Sequence, residues 1–359
     1  MGRARPHNQP DHRRGRQCRV PDRGTARGCA MSAPRPEIVI GFEAAPDIRA
    51  VIERVLGGLA GIHYLHGAPP AERQAALKNA RALLTWRPHV ELSADELAGL
   101  DHLGLIQCAA AGIDFVPFDR LPQAVPFACN AGAFSGVMAE HVMALILAAA
   151  KALTDRYEKL KRGQFDQFDP TKSLDGATCA ILGFGGIGQA LAQRLRPFGT
   201  RVYAINRSGR TEEPVEWVGT LADLDVALRA ADVVVLTLSL NRATRGVIDA
   251  RGLGLMKPDA FLVNVARGPL IDQAALYHHL VANPRFFACL DAWWVEPFVH
   301  GRFHLDFPFF ELPNFLGSPH NSAVVPGSIA KAIEHAALNV ARFLKGEPVL
   351  HLVGEQDQV

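Results

Sequence analysis

Residues 178–188, TCAILGFGGIG, join an apolar run to a glycine-rich turn. The apolar run is typical of a buried strand, and the following GIGQALAQRLRPFG has helical spacing. Gly183, Gly185 and Gly188 fit the pattern G-x-G-x-x-G. The first glycine permits a tight turn, the second lets backbone approach a pyrophosphate, and the third allows close packing of helix on strand. This stretch therefore predicts a Rossmann-type dinucleotide-binding unit.

The end of the next predicted strand, RVYAIN, bears on which dinucleotide binds. It ends at Asn206, 18 residues after Gly188, where an acidic residue would bind a ribose and repel a 2′-phosphate. Here Asn206, Arg207 and Ser208 favour the phosphorylated ribose of NADP over NAD. The alternative is that Arg207 and Arg210 point into solvent while Asn206 binds an unphosphorylated ribose. The predicted cofactor-binding residues in this region are Gly183, Phe184, Gly185, Gly186, Ile187, Gly188, Asn206, Arg207 and Ser208.

Strand-like and helix-like segments alternate on both sides of this unit, from Glu37 to a final amphipathic helix, SIAKAIEHAALNVARFLKG. This βαβ rhythm predicts an α/β fold with parallel sheets covered by helices. We expect two doubly wound domains, with a Rossmann-type NAD(P)-binding domain (135–322) inserted into a flavodoxin-like substrate domain (34–134 plus 323–350). One long helix is predicted over about 136–161.

The charge is distributed unevenly along the 359 residues, although the formal net charge is only +2. Residues 1–30 contain eight Arg and two acids, which leaves the remaining chain mildly acidic and gives no support for nucleic-acid binding. We interpret residues 1–33 as a disordered basic extension. Three origins stay open for the basic segment: an organelle-targeting peptide, a disordered arm, or translated sequence upstream of a start at Met31.

Cysteine usage and hydropathy indicate the compartment. The six cysteines are scattered without a C-x-x-C pair, which favours reduced thiols in the cytoplasm. No apolar run reaches the roughly 18 residues that span a bilayer, so no membrane association is expected. We expect no metal site.

Three further segments place reactive side chains directly after predicted strands. Arg267 lies in NVARGPLID, Glu296 in LDAWWVEP and His320 in GSPHNS. Groups beyond the carboxyl ends of parallel strands converge on the ligand crevice. An arginine can clamp a carboxylate and polarise a carbonyl, a histidine can transfer a proton, and a carboxylate can orient that histidine. Taken singly, the three could also be a capping arginine, a solvated acid and a turn histidine.

The chain resembles the D-isomer-specific 2-hydroxyacid dehydrogenases, a family that includes glyoxylate/hydroxypyruvate reductases and D-3-phosphoglycerate dehydrogenases. The resemblance covers about residues 80–345 and is carried by LIQCAAAGID, NAGAFSGVMAEHVMALILA, GATCAILGFGGIGQALAQRLRPFG, MKPDAFLVNVARGPLIDQAAL, CLDAWWVEP and SPHNS. It implies that Arg267 binds a 2-keto acid, that His320 is the acid/base and that Glu296 supports His320. The implied reaction is reduction of a small 2-keto acid to a D-2-hydroxy acid by hydride transfer from NAD(P)H, in a homodimer.

The resemblance also implies binding positions. Asp291 and the backbone around Val265 would hold the nicotinamide carboxamide, and main-chain N–H groups near Ala111, Gly112 and the Trp86–Arg87 turn would receive the substrate carboxylate. The further implied positions are Leu238, Ser239 and Ala266 for the cofactor, and Trp86, Arg87, Ala111, Gly112 and Arg267 for the substrate. Ser239 stands where the family often has proline.

Two questions stay open at this level. The aromatic stretch 298–315 could cover the substrate pocket, form a dimer contact or pack locally. The alternative functions are a phosphoglycerate-, formate- or phosphite-type dehydrogenase of the same fold and a non-catalytic, nucleotide-sensing corepressor-like protein. Formate enzymes of the family carry glutamine at the position of Glu296, which argues against that alternative.

Overall fold

The computed structural model describes residues 35–358, so the predicted extension at 1–33 lies outside the described residues. The strands are β1 Glu37–Ile40, β2 Gly61–Tyr64, β3 Ala80–Thr85, β4 Leu105–Cys108, β5 Phe127–Ala128, β6 Thr178–Leu182, β7 Arg201–Ile205, β8 Trp217–Gly219, β9 Val233–Leu236, β10 Phe261–Asn264, β11 Phe287–Leu290 and β12 Phe315–Gly317. The helices are α1 Pro46–Leu56, α2 Pro70–Asn79, α3 Pro88–Glu91, α4 Ala94–Ala98, α5 Ser135–Ala150, α6 Leu153–Lys161, α7 Gly186–Leu195, α8 Leu224–Ala230, α9 Ala250–Leu255, α10 Gln273–Ala282, α11 Pro297–His300 and α12 Ser328–Leu344.

The strands form two parallel sheets. The five-stranded sheet has the order β2-β1-β3-β4-β5, which is flavodoxin-like, and the seven-stranded sheet has the order β12-β11-β10-β9-β6-β7-β8, which is Rossmann-like. The central strands of the second sheet are fully buried, as expected for a sheet covered by helices on both faces. The predicted fold class is therefore confirmed.

The chain returns to its first sheet at the end. Helix α12 packs its apolar face, including Ile333, Ala337 and Val340, against Ile40 and Ile52 of the five-stranded sheet and its helix α1. A helix of this length buries its stripe only against another element. The seven-stranded sheet is thereby inserted into the fold of the five-stranded one, although the domain boundaries proposed from the sequence stay a prediction.

The long helix expected over 136–161 is wrong in one respect. It is two helices, α5 and α6, bent by 54° at a break where Ala152 adopts a left-handed conformation with φ 49°. Helix α5 is apolar and packs into the core of the seven-stranded sheet, whereas α6 is polar and has no buried residue. No single described helix is long and apolar enough to cross a bilayer, and this bent pair meets that test only by length and composition.

Candidate active site

The glycine turn connects β6 to α7. Gly183 has φ 105°, and a Cβ there would lie 2.5 Å from the backbone nitrogen of Leu238, so only glycine fits. A Cβ at Gly188 would lie 2.7 Å from the carbonyl oxygen of Gly183, which lets α7 pack closely on β6. At Gly185 nothing lies within 4 Å of the Cβ position. The turn is thus tightly packed at Gly183 and Gly188 and open at Gly185.

This open side suits a dinucleotide. The N–H groups of residues 186–188 form the first turn of α7, where no carbonyl of the helix can accept from them. The buried hydroxyl of Ser135 lies beside this turn, 2.4 Å from the Cβ position of Gly186, and has no hydrogen-bond partner among the described residues. Free donors at a helix N-terminus are the usual partners of a pyrophosphate. The residues present therefore fit the predicted cofactor.

The other predicted cofactor positions surround the same turn or follow the neighbouring strands. Leu238 packs on Gly183, and the carbonyl of Ser239 accepts from the hydroxyl of Thr244 at 2.7 Å. Val265 is buried, and the N–H of Ala266 donates to the Asn264 side chain at 3.0 Å. Their contacts with a cofactor stay a prediction.

The turn after β7 is organised by Asn206. Its Oδ1 accepts from the N–H of Gly209 at 2.8 Å and from the hydroxyl of Ser208 at 3.2 Å, and its Nδ2 donates to the carbonyl of Arg210 at 2.8 Å. The amide is thus engaged in its own turn. The guanidinium of Arg207 is the group presented outward, paired with the carboxylate of Asp357.

Arg267 follows β10 and reaches the other sheet. Its Nε donates to Asp114 at 2.8 Å, and its Nη1 donates to the carbonyl of Ala266 at 2.8 Å. A Cβ at Gly112 would lie 1.8 Å from Nη2 of Arg267. The N–H groups of Ala111 and Gly112 take part in no hydrogen bond within the described chain. A cationic fork and two free backbone donors therefore meet at one point of the cleft.

His320 and Glu296 form a direct pair. Nδ1 of His320 lies 2.7 Å from Oε2 of Glu296, and the other carboxylate oxygen accepts from the N–H of Trp293 at 2.6 Å. The imidazole is 36% exposed and lines the cleft, whereas the Glu296 side chain is 11% exposed. His320 adopts φ 51°, a left-handed conformation that costs a non-glycine residue about 1–3 kcal/mol. The surrounding loop therefore holds His320 in one orientation.

The charge state of Glu296 follows from its neighbours. Burial alone would raise the pKa of Glu296, but the hydrogen bond and charge of His320, the Trp293 amide and the Arg267 charge together hold this pKa below its ordinary value. Glu296 is therefore ionised at neutral pH. An ionised carboxylate at Nδ1 fixes the tautomer and leaves Nε2 to face the cleft.

The carboxylate of Asp291 accepts hydrogen bonds from the loop that carries His320. This carboxylate is fully buried and accepts from the hydroxyl of Ser318 at 2.6 Å and from the N–H groups of Asn321 and Ser322 at 3.1 Å. His141 of α5 approaches the same group, with its Nε2 3.0 Å from the Ser318 hydroxyl. Asp291 thus orders the segment that carries His320. Its predicted contact with the nicotinamide carboxamide stays a prediction.

The Trp86–Arg87 turn corrects one expectation. The N–H groups expected to receive a substrate carboxylate already donate to Oε1 of Glu91, at 3.0 Å from Trp86 and 2.8 Å from Arg87. Oε2 of Glu91 accepts from the Thr85 hydroxyl at 2.5 Å. Glu91 lies in α3, four residues after Arg87 and five after Trp86, so its side chain folds back over the turn. Trp86 and Arg87 both line the cleft, but these two N–H groups are already engaged.

Arg267, Glu296 and His320 line one cleft of about 1450 Å³ between the two sheets, together with Ala111 and Gly112. This is larger than the roughly 300–1,000 Å³ of a typical small-ligand pocket, so there is room for a substrate beside part of a cofactor.

The aromatic side chains of the stretch 298–315 lie in two different environments. Phe309 is buried and stacks on Trp294, whereas Phe298 lines the cleft with its ring under the Arg87 guanidinium. One part of the aromatic stretch therefore packs locally, and another part covers the cleft.

Comparison with known proteins decides the family. The model of the family described as "D-isomer specific 2-hydroxyacid dehydrogenase, NAD binding domain" matches residues 143–322, half of the chain. The chain belongs to the D-isomer-specific 2-hydroxyacid dehydrogenase family. Among curated family members, a hydroxypyruvate reductase of Thermotoga maritima is 30% identical over 244 residues, which cover 67% of this chain and 78% of that protein.

Other members of the family agree over more of the chain. A D-3-phosphoglycerate dehydrogenase of Mycobacterium bovis is 30% identical over 323 residues, 89% of this chain, although the match spans only 57% of that protein. The crystal structure of a D-isomer specific 2-hydroxyacid dehydrogenase from Xanthobacter autotrophicus Py2 in complex with NADPH and MES superposes with a TM-score of 0.73 at 26% identity, covering 89% of this chain and 98% of that one.

Several residues of the site escaped the sequence analysis. They are Glu91, Asp114, His141, Ser318 and Asp357. Asp114 and Ser318 lie within the quoted motifs AGID and GSPH, so proximity to those motifs was a usable signal. Asp357 is joined to its partner across 150 residues and carries no local signal.

Proposed function

We propose that this protein is an NADP-preferring dehydrogenase that reduces a small 2-keto acid, of the glyoxylate or hydroxypyruvate type, to a D-2-hydroxy acid. The observation that carries the proposal is the meeting of Arg267 with the free N–H groups of Ala111 and Gly112 in the cleft that His320 and Glu296 also line. A carboxylate next to a ketone matches this arrangement, because the fork and the two amides bind anionic oxygens.

The chain's own residues divide the work as follows. The amides of Ala111 and Gly112 hold the substrate carboxylate, and Arg267 binds it together with the ketone oxygen. Asp114 holds Nε of Arg267 and the Ala266 carbonyl holds Nη1, while Nη2 lies beside Gly112. In its protonated form His320, whose Nδ1 pairs with Glu296, donates the Nε2 proton to the ketone oxygen as that oxygen becomes a hydroxyl. A bound nicotinamide supplies the hydride to the ketone carbon.

The cofactor preference rests on the turn after β7. Arg207 is the cation at the strand end, and Asn206 places no negative charge there. The related Xanthobacter protein was crystallised with NADPH, which supports the same assignment. We propose that NADP is preferred over NAD.

Steady-state assays test the whole proposal. The purified protein is mixed with NADPH or NADH and with glyoxylate, hydroxypyruvate, pyruvate or a bulkier 2-keto acid, and loss of the reduced nicotinamide is followed by absorbance. We expect turnover of at least one keto acid, a D-configured product where the product is chiral, and a higher kcat/KM with NADPH. Nucleotide binding without turnover of any keto acid would contradict the proposal and favour the corepressor-like alternative.

We also propose a cytoplasmic homodimer that acts on small molecules without nucleic-acid or membrane partners. Four of the cysteines are free thiols in the described chain, which supports a reducing compartment. Large apolar side chains stay exposed on α6 and the loop after it, and a second chain would cover them. They are Leu153, Tyr157, Leu160, Phe165 and Phe168. Light scattering after size exclusion is expected to give twice the chain mass.

A further inference from the structure

The cation at the cofactor turn has an acidic partner from a distant part of the chain. Arg207, whose side chain is 68% exposed, pairs with the carboxylate of Asp357. The two residues are 150 positions apart, so this contact is made by the fold alone. Among the described residues, Asp357 is the only carboxylate in a salt bridge with Arg207.

The segment that carries Asp357 is anchored on the five-stranded sheet. Leu352 forms an antiparallel bridge with Ala128 of β5, and the N–H of Val353 donates to the carbonyl of Phe127 at 2.9 Å. A short 3-10 turn follows at Glu355–Asp357, in which the second carboxylate oxygen of Asp357 accepts from the N–H of Gly354 at 3.0 Å. The Asp357 side chain is only 24% exposed, so its carboxylate is held in place beside Arg207.

The location of this pair gives it a consequence for the cofactor. In dinucleotide-binding folds, the strand end about 20 residues after the glycine turn carries an acid that binds the 2′-hydroxyl, or a nearby arginine that accommodates a 2′-phosphate. Here β7 ends without an acid. Asp357, from the segment anchored on the five-stranded sheet, places a carboxylate beside Arg207 instead. A carboxylate and a phosphate are both acceptors for a guanidinium fork, so both require the same donors.

We propose that Asp357 is a specificity-determining residue that competes with the ribose 2′-phosphate of NADP for Arg207. This inference rests on the proposed binding of a nicotinamide dinucleotide at the glycine turn. The 2′-phosphate displaces Asp357 and is repelled by it, whereas an unphosphorylated ribose leaves the pair intact. Asp357 therefore weakens the binding of NADP and leaves the binding of NAD unchanged. The preference for NADP over NAD that Arg207 provides becomes smaller as a result.

The expected effect is modest. Arg207 is largely exposed, and exposed ion pairs change equilibria by roughly twofold to fivefold at low salt. The competition is electrostatic, so it weakens as the Debye length falls to about 3 Å near 1 M salt. An effect of this size is measurable by direct titration.

Isothermal titration of the unliganded protein with two nucleotide fragments tests the proposal without any turnover. Adenosine 2′,5′-bisphosphate carries the 2′-phosphate, and 5′-AMP lacks it. Asp357→Asn is expected to tighten the bisphosphate about twofold to fivefold at low salt and to leave 5′-AMP unchanged. Glu355→Gln is the matched control, because Glu355 lies in the same turn, is exposed and makes no salt bridge among the described residues.

Two further variants distinguish the role of Asp357 from the cofactor assignment at Arg207. Arg207→Ala is expected to weaken the bisphosphate, and Asp357→Asn is expected to give no gain in that background. If Arg207→Ala weakens the bisphosphate but Asp357→Asn binds it as the wild type or Glu355→Gln does, the role of Asp357 is overturned while the cofactor site stands. If the wild type binds neither fragment, or if Arg207→Ala binds the bisphosphate unchanged, the cofactor assignment at Arg207 fails and the competition fails with it.

Discussion

The guanidinium of Arg267 rests against the backbone of Gly112, so closely that a Cβ at residue 112 would lie 1.8 Å from Nη2. Arg267 follows a strand of the seven-stranded sheet, whereas Gly112 follows a strand of the five-stranded sheet. This contact connects the two sheet domains at the point where the substrate carboxylate is proposed to bind. Because the closest atoms belong to the side chain that is proposed to bind substrate, we expect the absence of a side chain at residue 112 to affect activity more than packing.

Gly112→Ala is therefore expected to push the Arg267 guanidinium away from the Ala111 and Gly112 amides. A displacement of about 1 Å at a reacting group can cost about 100-fold, and we expect kcat/KM for the keto acid to fall by that order. Gly58→Ala is the control, since nothing lies within 4 Å of its Cβ position. Equal kcat/KM values for the two variants would show that Arg267 does not need this position.

Glu91 is expected to stabilise the turn at Trp86–Arg87 and not to bind substrate. Glu91→Ala leaves the buried Thr85 hydroxyl and two backbone N–H groups without their acceptor. The free energy of unfolding in urea is expected to fall by about 1–3 kcal/mol. Asp101→Ala, at an exposed position, is the control and should change stability little. A Glu91→Ala protein as stable as the control would show that these hydrogen bonds contribute nothing net.

The pair of Glu296 with His320 makes stability depend on pH in acid. The pKa of Glu296 is held below its ordinary value of about 4.5, so this group stabilises the folded state above pH 4.5 and loses that contribution as the pH falls through its folded pKa. Glu296→Gln is expected to unfold with a shallower loss of stability below about pH 4.5 than the wild type.

Glu311→Gln is the comparison for this pH series, because Glu311 is an exposed acid of the same segment. Thermal unfolding at a series of acidic pH values supplies the data. If Glu296→Gln and Glu311→Gln follow the same curve, the Glu296 carboxylate carries no special stabilisation.

The extent of prediction from the sequence differs between backbone and side chains. Apolar runs such as that of β9 recur along the chain and alternate with helical segments, so they predicted the two parallel sheets. The glycine spacing after β6 predicted the tight turn into α7. Helix capping also follows a short local pattern, since Ser93 and Glu96, three residues apart, form a capping box. The left-handed break at Ala152 was missed because the composition on both sides of it is helical.

The periodicity of apolar residues does not predict which side chains from distant segments form pairs. The convergence of Arg267, Glu296 and His320 could be inferred because three successive strands end at one edge of a parallel sheet. By contrast, Glu91 was invisible because a surface glutamate in a short helix does not reveal that it folds back on a turn. Asp357 was invisible because its partner depends on how the end of the chain lies between the lobes.

The proton transfer assigned to His320 is the central claim, and kcat of His320→Ala tests it most directly. General acid catalysis contributes about 10²–10⁴-fold, so kcat for keto acid reduction is expected to fall by at least 100-fold, while binding of adenosine 2′,5′-bisphosphate is unchanged. His304→Ala, which removes an exposed histidine of the same segment, should retain wild-type kcat. A His320→Ala protein that turns over a keto acid as fast as His304→Ala would contradict the account.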